Sequence, residues 1–262
     1  MIAQWKFIIK RLVVKIYMFY AMLFEKKFSG EKCELRYLLF KRRKTKRLLV
    51  IFSSYPGNGQ KARYNYIMKF VGLQTSRLYI LDNFGPEEKG AYYLGKNYDF
   101  YIERSVHGLI EAVRLELNIP KKNVVTCGSS KGGFAAIYFE NKYHYGASIA
   151  GAPQIFLGDY LGISKHQSIF RFIAGKYDEL NRGYLNSILL QAILNKKRSS
   201  HISIYVSKQE GMYKDHVEPF MNFSNHHQIK TGLYLGDYAE HKSIGFYFPD
   251  FAIKEFQKYF EA

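Results

Sequence analysis

The stretch Val124-Val125-Thr126-Cys127-Gly128-Ser129-Ser130-Lys131-Gly132-Gly133-Phe134-Ala135-Ala136-Ile137-Tyr138 constrains the fold more than any other part of the chain. A β-branched run leads into a Gly-Ser-Ser-Lys-Gly turn, and a helix-forming run opens on small residues after it. This is the G-x-S-x-G pattern of a nucleophile elbow, with Ser130 at its apex. A sharp strand-to-helix turn strains the backbone at the serine and lifts its hydroxyl above the sheet. It also aims the N–H groups of the helix N-terminus at charge developing on a bound acyl group. Gly128 and Gly132 leave room for strand and helix to approach. A pattern this short also arises by chance, and a plain Gly/Ser loop or a phosphate cradle has the same composition. Context favours the elbow: 123–127 reads as a buried parallel strand, and the residues after it suit a helix packed on that strand.

The rest of the chain alternates in the same way. Strands are expected at 34–40 and 47–55, joined across the basic run Lys41-Arg42-Arg43-Lys44-Thr45-Lys46-Arg47 as an antiparallel start to a sheet. Further strands are expected at 76–81, 147–150, 201–207 and 227–235. Helices are expected at 63–71, 106–117, 184–194, 217–223 and 249–260, and 154–198 reads as mainly helical. Strands alternating with helices imply an α/β fold with a mostly parallel central sheet and helices on both faces. No repeat, linker or composition shift marks a second domain. The reading is therefore an N-terminal amphipathic basic helix over 1–30 and a single domain over 31–262, with 154–198 as the candidate cap.

Charge and cysteine content narrow the partners. The net charge of +17 in 262 residues implies anionic ligands such as a nucleotide-type cofactor, a polyanionic glycan or an anionic membrane. The basic residues are dispersed outside the N-terminal concentration, and no nucleic-acid module is visible, so nucleic acid is disfavoured. Cys33 and Cys127 stand far apart with no C-x-x-C, which suggests neither a disulfide scaffold nor a metal knuckle and fits a reducing cytoplasm. Lys6, Lys10, Arg11 and Lys15 interrupt the apolar run 1–24. That run is too broken to span a bilayer, and Glu25-Lys26-Lys27 offers no signal-peptide cleavage site. Two readings of it stay open: a helix packed on the domain, or an interfacial helix on the inner face of the membrane.

A serine hydroxyl needs a histidine to take its proton and an acid to orient that histidine. With the serine on an elbow, the acid and then the histidine follow it in the chain. His241 lies after the last expected strand and before the last helix, where the base belongs. His144, His166 and His201 come too early; His216, His226 and His227 stay open as alternatives, although they precede the final strand. The acid belongs just past the strand at 201–207, which favours Glu210, with Asp215 second. Two oxyanion N–H donors are needed: Lys131, directly after the nucleophile, and a residue in the turn Phe52-Ser53-Ser54-Tyr55-Pro56-Gly57, at Ser54 or Tyr55.

With Phe52-Ser53-Ser54-Tyr55, Arg63-Tyr64-Asn65-Tyr66, Gly128-Ser129-Ser130-Lys131-Gly132-Gly133, Ser207-Lys208-Gln209-Glu210 and His241 in place, the chain resembles a family of small bacterial enzymes. These are the α/β-hydrolase-fold O-acetyltransferases of capsule and surface-glycan assembly. The resemblance runs from residue 34 to the C-terminus and leaves the N-terminal segment outside. It implies a Ser–His–acid triad of Ser130, His241 and Glu210 that moves an acetyl group from acetyl-CoA, a co-substrate, to a sugar hydroxyl of a polysaccharide. The expected setting is the cytoplasm, with peripheral contact to an anionic membrane or to capsule-assembly enzymes. Two rival expectations are an esterase using the same triad and a non-catalytic membrane-associated protein of glycan assembly.

Overall fold

A computed structural model of the chain describes Trp5, Leu12, Val14 and residues 16–57, 59–196 and 201–261. Eight strands form one sheet: β1 (Lys26–Ser29), β2 (Glu34–Phe40), β3 (Leu48–Phe52), β4 (Ser76–Ile80), β5 (Val124–Ser129), β6 (Ala147–Gly151), β7 (Ile202–Val206) and β8 (Thr231–Leu235). Their order across the sheet is β1-β2-β4-β3-β5-β6-β7-β8. The pairs β1–β2 and β2–β4 are antiparallel, and every pair from β4 to β8 is parallel. Every residue of β3, β5 and β6 is buried, so both faces of the sheet centre are covered. This explains why these strands read as unbroken apolar or small-residue runs rather than as alternating ones.

The helices around the sheet are α1 (Tyr101–Glu116), α2 (Lys131–Tyr143), α3 (Leu157–Gly162), α4 (Gln167–Ala174), α5 (Glu179–Leu194), α6 (Glu218–His226) and α7 (Ile244–Tyr259). α3 to α5 occupy the helical segment expected at 154–198. Asp178 caps α5, its side chain accepting the Asn181 N–H at 2.8 Å. Together these elements form the α/β-hydrolase fold, as expected.

Several local expectations fail, each for a physical reason. The strands at 34–40 and 47–55 are not a hairpin: β4 lies between β2 and β3, pairing antiparallel with the first and parallel with the second. The fully buried β3 needs a neighbour on each edge, and it takes β4 and β5. Residues 63–71 are turns rather than a helix, and Tyr66 has φ 65°, which no right-handed helix accepts. The last helix starts at Ile244, with Pro249 inside it. The sheet reaches back to Lys26, inside the stretch 1–30 read as helix; the helix described there covers 16–22. Residues 1–4, 6–11, 13 and 15 of that stretch lie outside the described residues.

Candidate active site

β5 ends at Ser129 and α2 begins at Lys131, so Ser130 alone makes the turn. Its backbone sits at φ 56° and ψ −119°, a costly conformation for a residue with a side chain. The Ser130 N–H donates to the Gly151 carbonyl at 2.7 Å, which anchors the turn to the end of β6. A Cβ on Gly128 would stand 2.4 Å from the Gly132 carbonyl oxygen, and one on Gly132 would stand 2.6 Å from that of Phe52. Both glycines are therefore required by close backbone approach.

Three loops at the carboxyl ends of parallel strands converge on Ser130, the end of such sheets where ligands bind. His241 follows β8, and its Nε2 lies 2.9 Å from Ser130 Oγ. Glu210 follows β7, and its Oε2 lies 2.6 Å from His241 Nδ1. The other carboxylate oxygen, Oε1, accepts the Tyr238 hydroxyl at 2.5 Å. Ser130 and Glu210 are buried, whereas the His241 side chain keeps 34% of its surface exposed. Asp215, the second choice for the acid, is exposed in the turn Tyr213–Val217. Of the two acids, the structure brings Glu210 to His241. His216 is buried and accepts the Phe156 N–H at Nδ1, 3.2 Å away; burial pushes its pKa down to about 4.

Of the residues expected on the oxyanion side, Lys131 and Ser54 differ in their surroundings. Lys131 N–H is the first of α2, next to Ser130. The Ser54 N–H, however, donates to Asn65 Oδ1 at 2.8 Å, so it is already spent. Tyr55 is the other residue of that turn expected as a donor. The turn is still fixed against the elbow, because Ser129 Oγ lies 2.9 Å from Ser54 Oγ and 2.5 Å from the Tyr66 hydroxyl.

Two buried polar groups escaped the sequence reading. Gln154, wholly buried just past β6, donates from Nε2 to Ser130 Oγ at 2.8 Å and accepts the Tyr92 hydroxyl at 2.6 Å. With this amide on one lone pair of Oγ, the single serine proton is left for His241 Nε2. A polar residue past the strand beside the elbow is a usable signal, but only once β6 is known to be that strand. The second is the Lys131 ammonium, buried against Asp82 Oδ2 at 2.7 Å. Burial lowers its pKa, and the Asp82 carboxylate opposes that shift. The pair ties the elbow to the loop 82–94.

Chemically, this is a hydroxyl with a base on its proton, an acid behind the base, and N–H groups at a helix N-terminus, which suits acyl transfer through a covalent serine ester. Neither a protein-family model nor a curated protein matches the chain. Among solved structures it is similar to the capsule O-acetyltransferase of Neisseria meningitidis serogroup A, with 26% identity, TM-score 0.74, and 89% of this chain and 93% of that one covered. A histidine-to-alanine variant of that enzyme in complex with CoA aligns at 23% identity and TM-score 0.76, covering 90% and 96%. The S-formylglutathione hydrolase of Staphylococcus aureus shares the fold, at 13% identity and TM-score 0.60 over 90% and 97%. These three structures are thus an O-acetyltransferase, its variant and a hydrolase of one fold.

Proposed function

We propose that the protein is an O-acetyltransferase that moves an acetyl group from acetyl-CoA to a hydroxyl of a capsular or other surface polysaccharide. The observation that carries this reading is the unbroken hydrogen-bonded series Ser130–His241–Glu210 at the end of the sheet. Likeness to the meningococcal capsule enzyme, and to its CoA complex, supports the donor and the acceptor class. The net charge of +17 suits both the phosphates of CoA and an anionic glycan. The cytoplasm, where acetyl-CoA is made, is the proposed compartment, with the polysaccharide met at the inner face of the membrane.

In the first half-reaction His241 Nε2 takes the Ser130 proton as Oγ attacks the thioester carbonyl. Lys131 N–H and Tyr55 N–H hold the oxyanion. Collapse breaks the C–S bond, and His241 returns the proton to the departing CoA sulfur. A sugar hydroxyl then gives its proton to His241 and attacks the acetyl-serine. The second collapse releases the acetylated sugar, and the proton goes back to Ser130 Oγ. Glu210 keeps the Nδ1–H tautomer and stabilises the imidazolium between these steps.

Hydrolysis is the second reading, favoured by the exposed part of His241, through which water reaches the base. Incubating the protein with acetyl-CoA, with and without candidate glycans, separates the two by product. Ser130→Ala is expected to abolish both acetyl-CoA turnover and labelling by a fluorophosphonate, with the fold intact. Turnover that survives this change refutes the covalent mechanism.

A further inference from the structure

The acyl chemistry leaves the surface formed by the first residues unused. The helix at 16–22 packs one side on the domain: Ala21 is buried, and Tyr17 and Met18 are partly buried against the core. Its opposite side is apolar as well, and bare. Ile16, Phe19 and Tyr20 lie on that side, and the helical Leu12 before them and Leu23 in the turn after them continue the series i, i+4, i+7, i+8 and i+11, the spacing that keeps side chains along one side of a helix. Their exposures run from 56% at Leu12 to 70% at Phe19, and Trp5 is 62% exposed. Scattered exposed apolar residues are ordinary, but an aligned stripe of this kind marks a contact surface.

Charge selects the occupant. Residues 1–27 hold Lys6, Lys10, Arg11, Lys15, Lys26 and Lys27 against one acid, Glu25. Of these, Lys26 and Lys27 are described and exposed on β1 directly after the stripe, Lys27 also pairing with Glu34 at 2.9 Å. A second copy docked through the same segment would set this charge against itself. An anionic bilayer complements it, with Trp, Tyr and Phe suited to the headgroup boundary. No helix among the described residues is long and apolar enough to cross a membrane. We infer that the outer stripe of this N-terminal helix lies flat in the interface of an anionic lipid bilayer. The inference rests on the cytoplasmic, inner-face placement proposed above but not on the acyl chemistry.

The test is flotation of the full chain with vesicles of phosphatidylcholine, alone or mixed with phosphatidylglycerol. The protein is expected to float with the anionic vesicles, weakly with the neutral ones, and less as salt rises. Phe19→Ser with Leu23→Ser should lower partitioning by about tenfold or more, since each removes apolar area from the bilayer. Lys26→Gln with Lys27→Gln should lower it on anionic vesicles only. Ser130→Ala should float like the parent, which separates this result from the fate of the triad. Equal binding to both vesicle types, or none to either, overturns the inference. So does a dimer in lipid-free solution that the Phe19/Leu23 change dissociates, because the stripe would then belong to a second copy.

Discussion

The buried ion pair beneath the elbow gives the most exacting prediction. Lys131 and Asp82 have no side-chain exposure, and their charged atoms are 2.7 Å apart. Asp82 also accepts the Ala91 N–H at 3.0 Å and the Tyr93 N–H at 3.2 Å. Lys131→Met keeps the stem volume and removes the ammonium, stranding a carboxylate with backbone donors only. Breaking one side of a buried pair costs about 3–5 kcal/mol. For a chain this long, each kcal/mol lowers Tm by about 2–4 °C, so a drop of about 6–20 °C is expected. Adding Asp82→Asn removes the stranded charge yet keeps an oxygen for the two N–H groups, so the double variant should recover most of the loss. Thermal unfolding of both single variants and the double closes the cycle. A Lys131→Met protein that melts within about 2 °C of the parent, against the range above, would refute the reasoning. The backbone N–H of Lys131 survives the substitution. Any activity lost well below the melt therefore reports displacement of the elbow rather than loss of a donor.

Three further outcomes follow from the same contacts. Gln154→Ala should lower kcat about 10–100-fold at little change in KM for acetyl-CoA, because the serine loses the donor that orients its proton and the Tyr92 hydroxyl loses its acceptor. An unchanged kcat would make Gln154 a packing residue. Tyr238→Phe removes one of two hydrogen bonds to Glu210 and should cost about tenfold in kcat, the worth of a bond to a charged group. Burial holds His216 at about pKa 4, below its ordinary 6.5, so the unfolded chain takes up this proton first as pH falls. Stability present above pH 6.5 is lost progressively toward pH 4, by up to about 3 kcal/mol. Glu140, raised by burial to about 7, works in the opposite sense between pH 7 and 4.5, gaining stability as pH falls. The measurement is therefore a difference: denaturant titrations of the parent and His216→Gln should converge toward pH 4, and parallel curves would contradict the shift.

What could be read from the sequence, and what could not, divides along the range of the interactions. The elbow is legible because its pattern is local and its tightest constraint lies within it, Gly128 being demanded by the Gly132 backbone, whereas Gly132 answers to the distant Phe52 on β3. Glu210 and His241 were placed by chain order, since parallel strands return every following loop to the same end of the sheet. Gln154 was missed because its meeting with Ser130 depends on β6 lying beside β5 with Gly151 opposite Ser129. The hairpin at 34–55 failed for the same reason, as strand adjacency is not written in strand periodicity. The turn at Ser54 does not by itself reveal that Asn65 folds back on its N–H.

The loop 82–94 joins these unread pieces. Tyr92 and Tyr93, fully buried, take φ of 55° and 58°, a conformation that only firm surrounding contacts sustain in such bulky residues. Tyr92 holds Gln154 on the nucleophile side. Tyr93 receives the Ser53 N–H at 2.5 Å on the oxyanion side, and Asp82 grips Lys131 between them. A single strained loop thus contacts Gln154 beside the serine, the Lys131 side chain of the elbow and the turn proposed to hold the second oxyanion donor. Substitutions that relax it should therefore impair the nucleophile and the oxyanion donors together rather than one at a time.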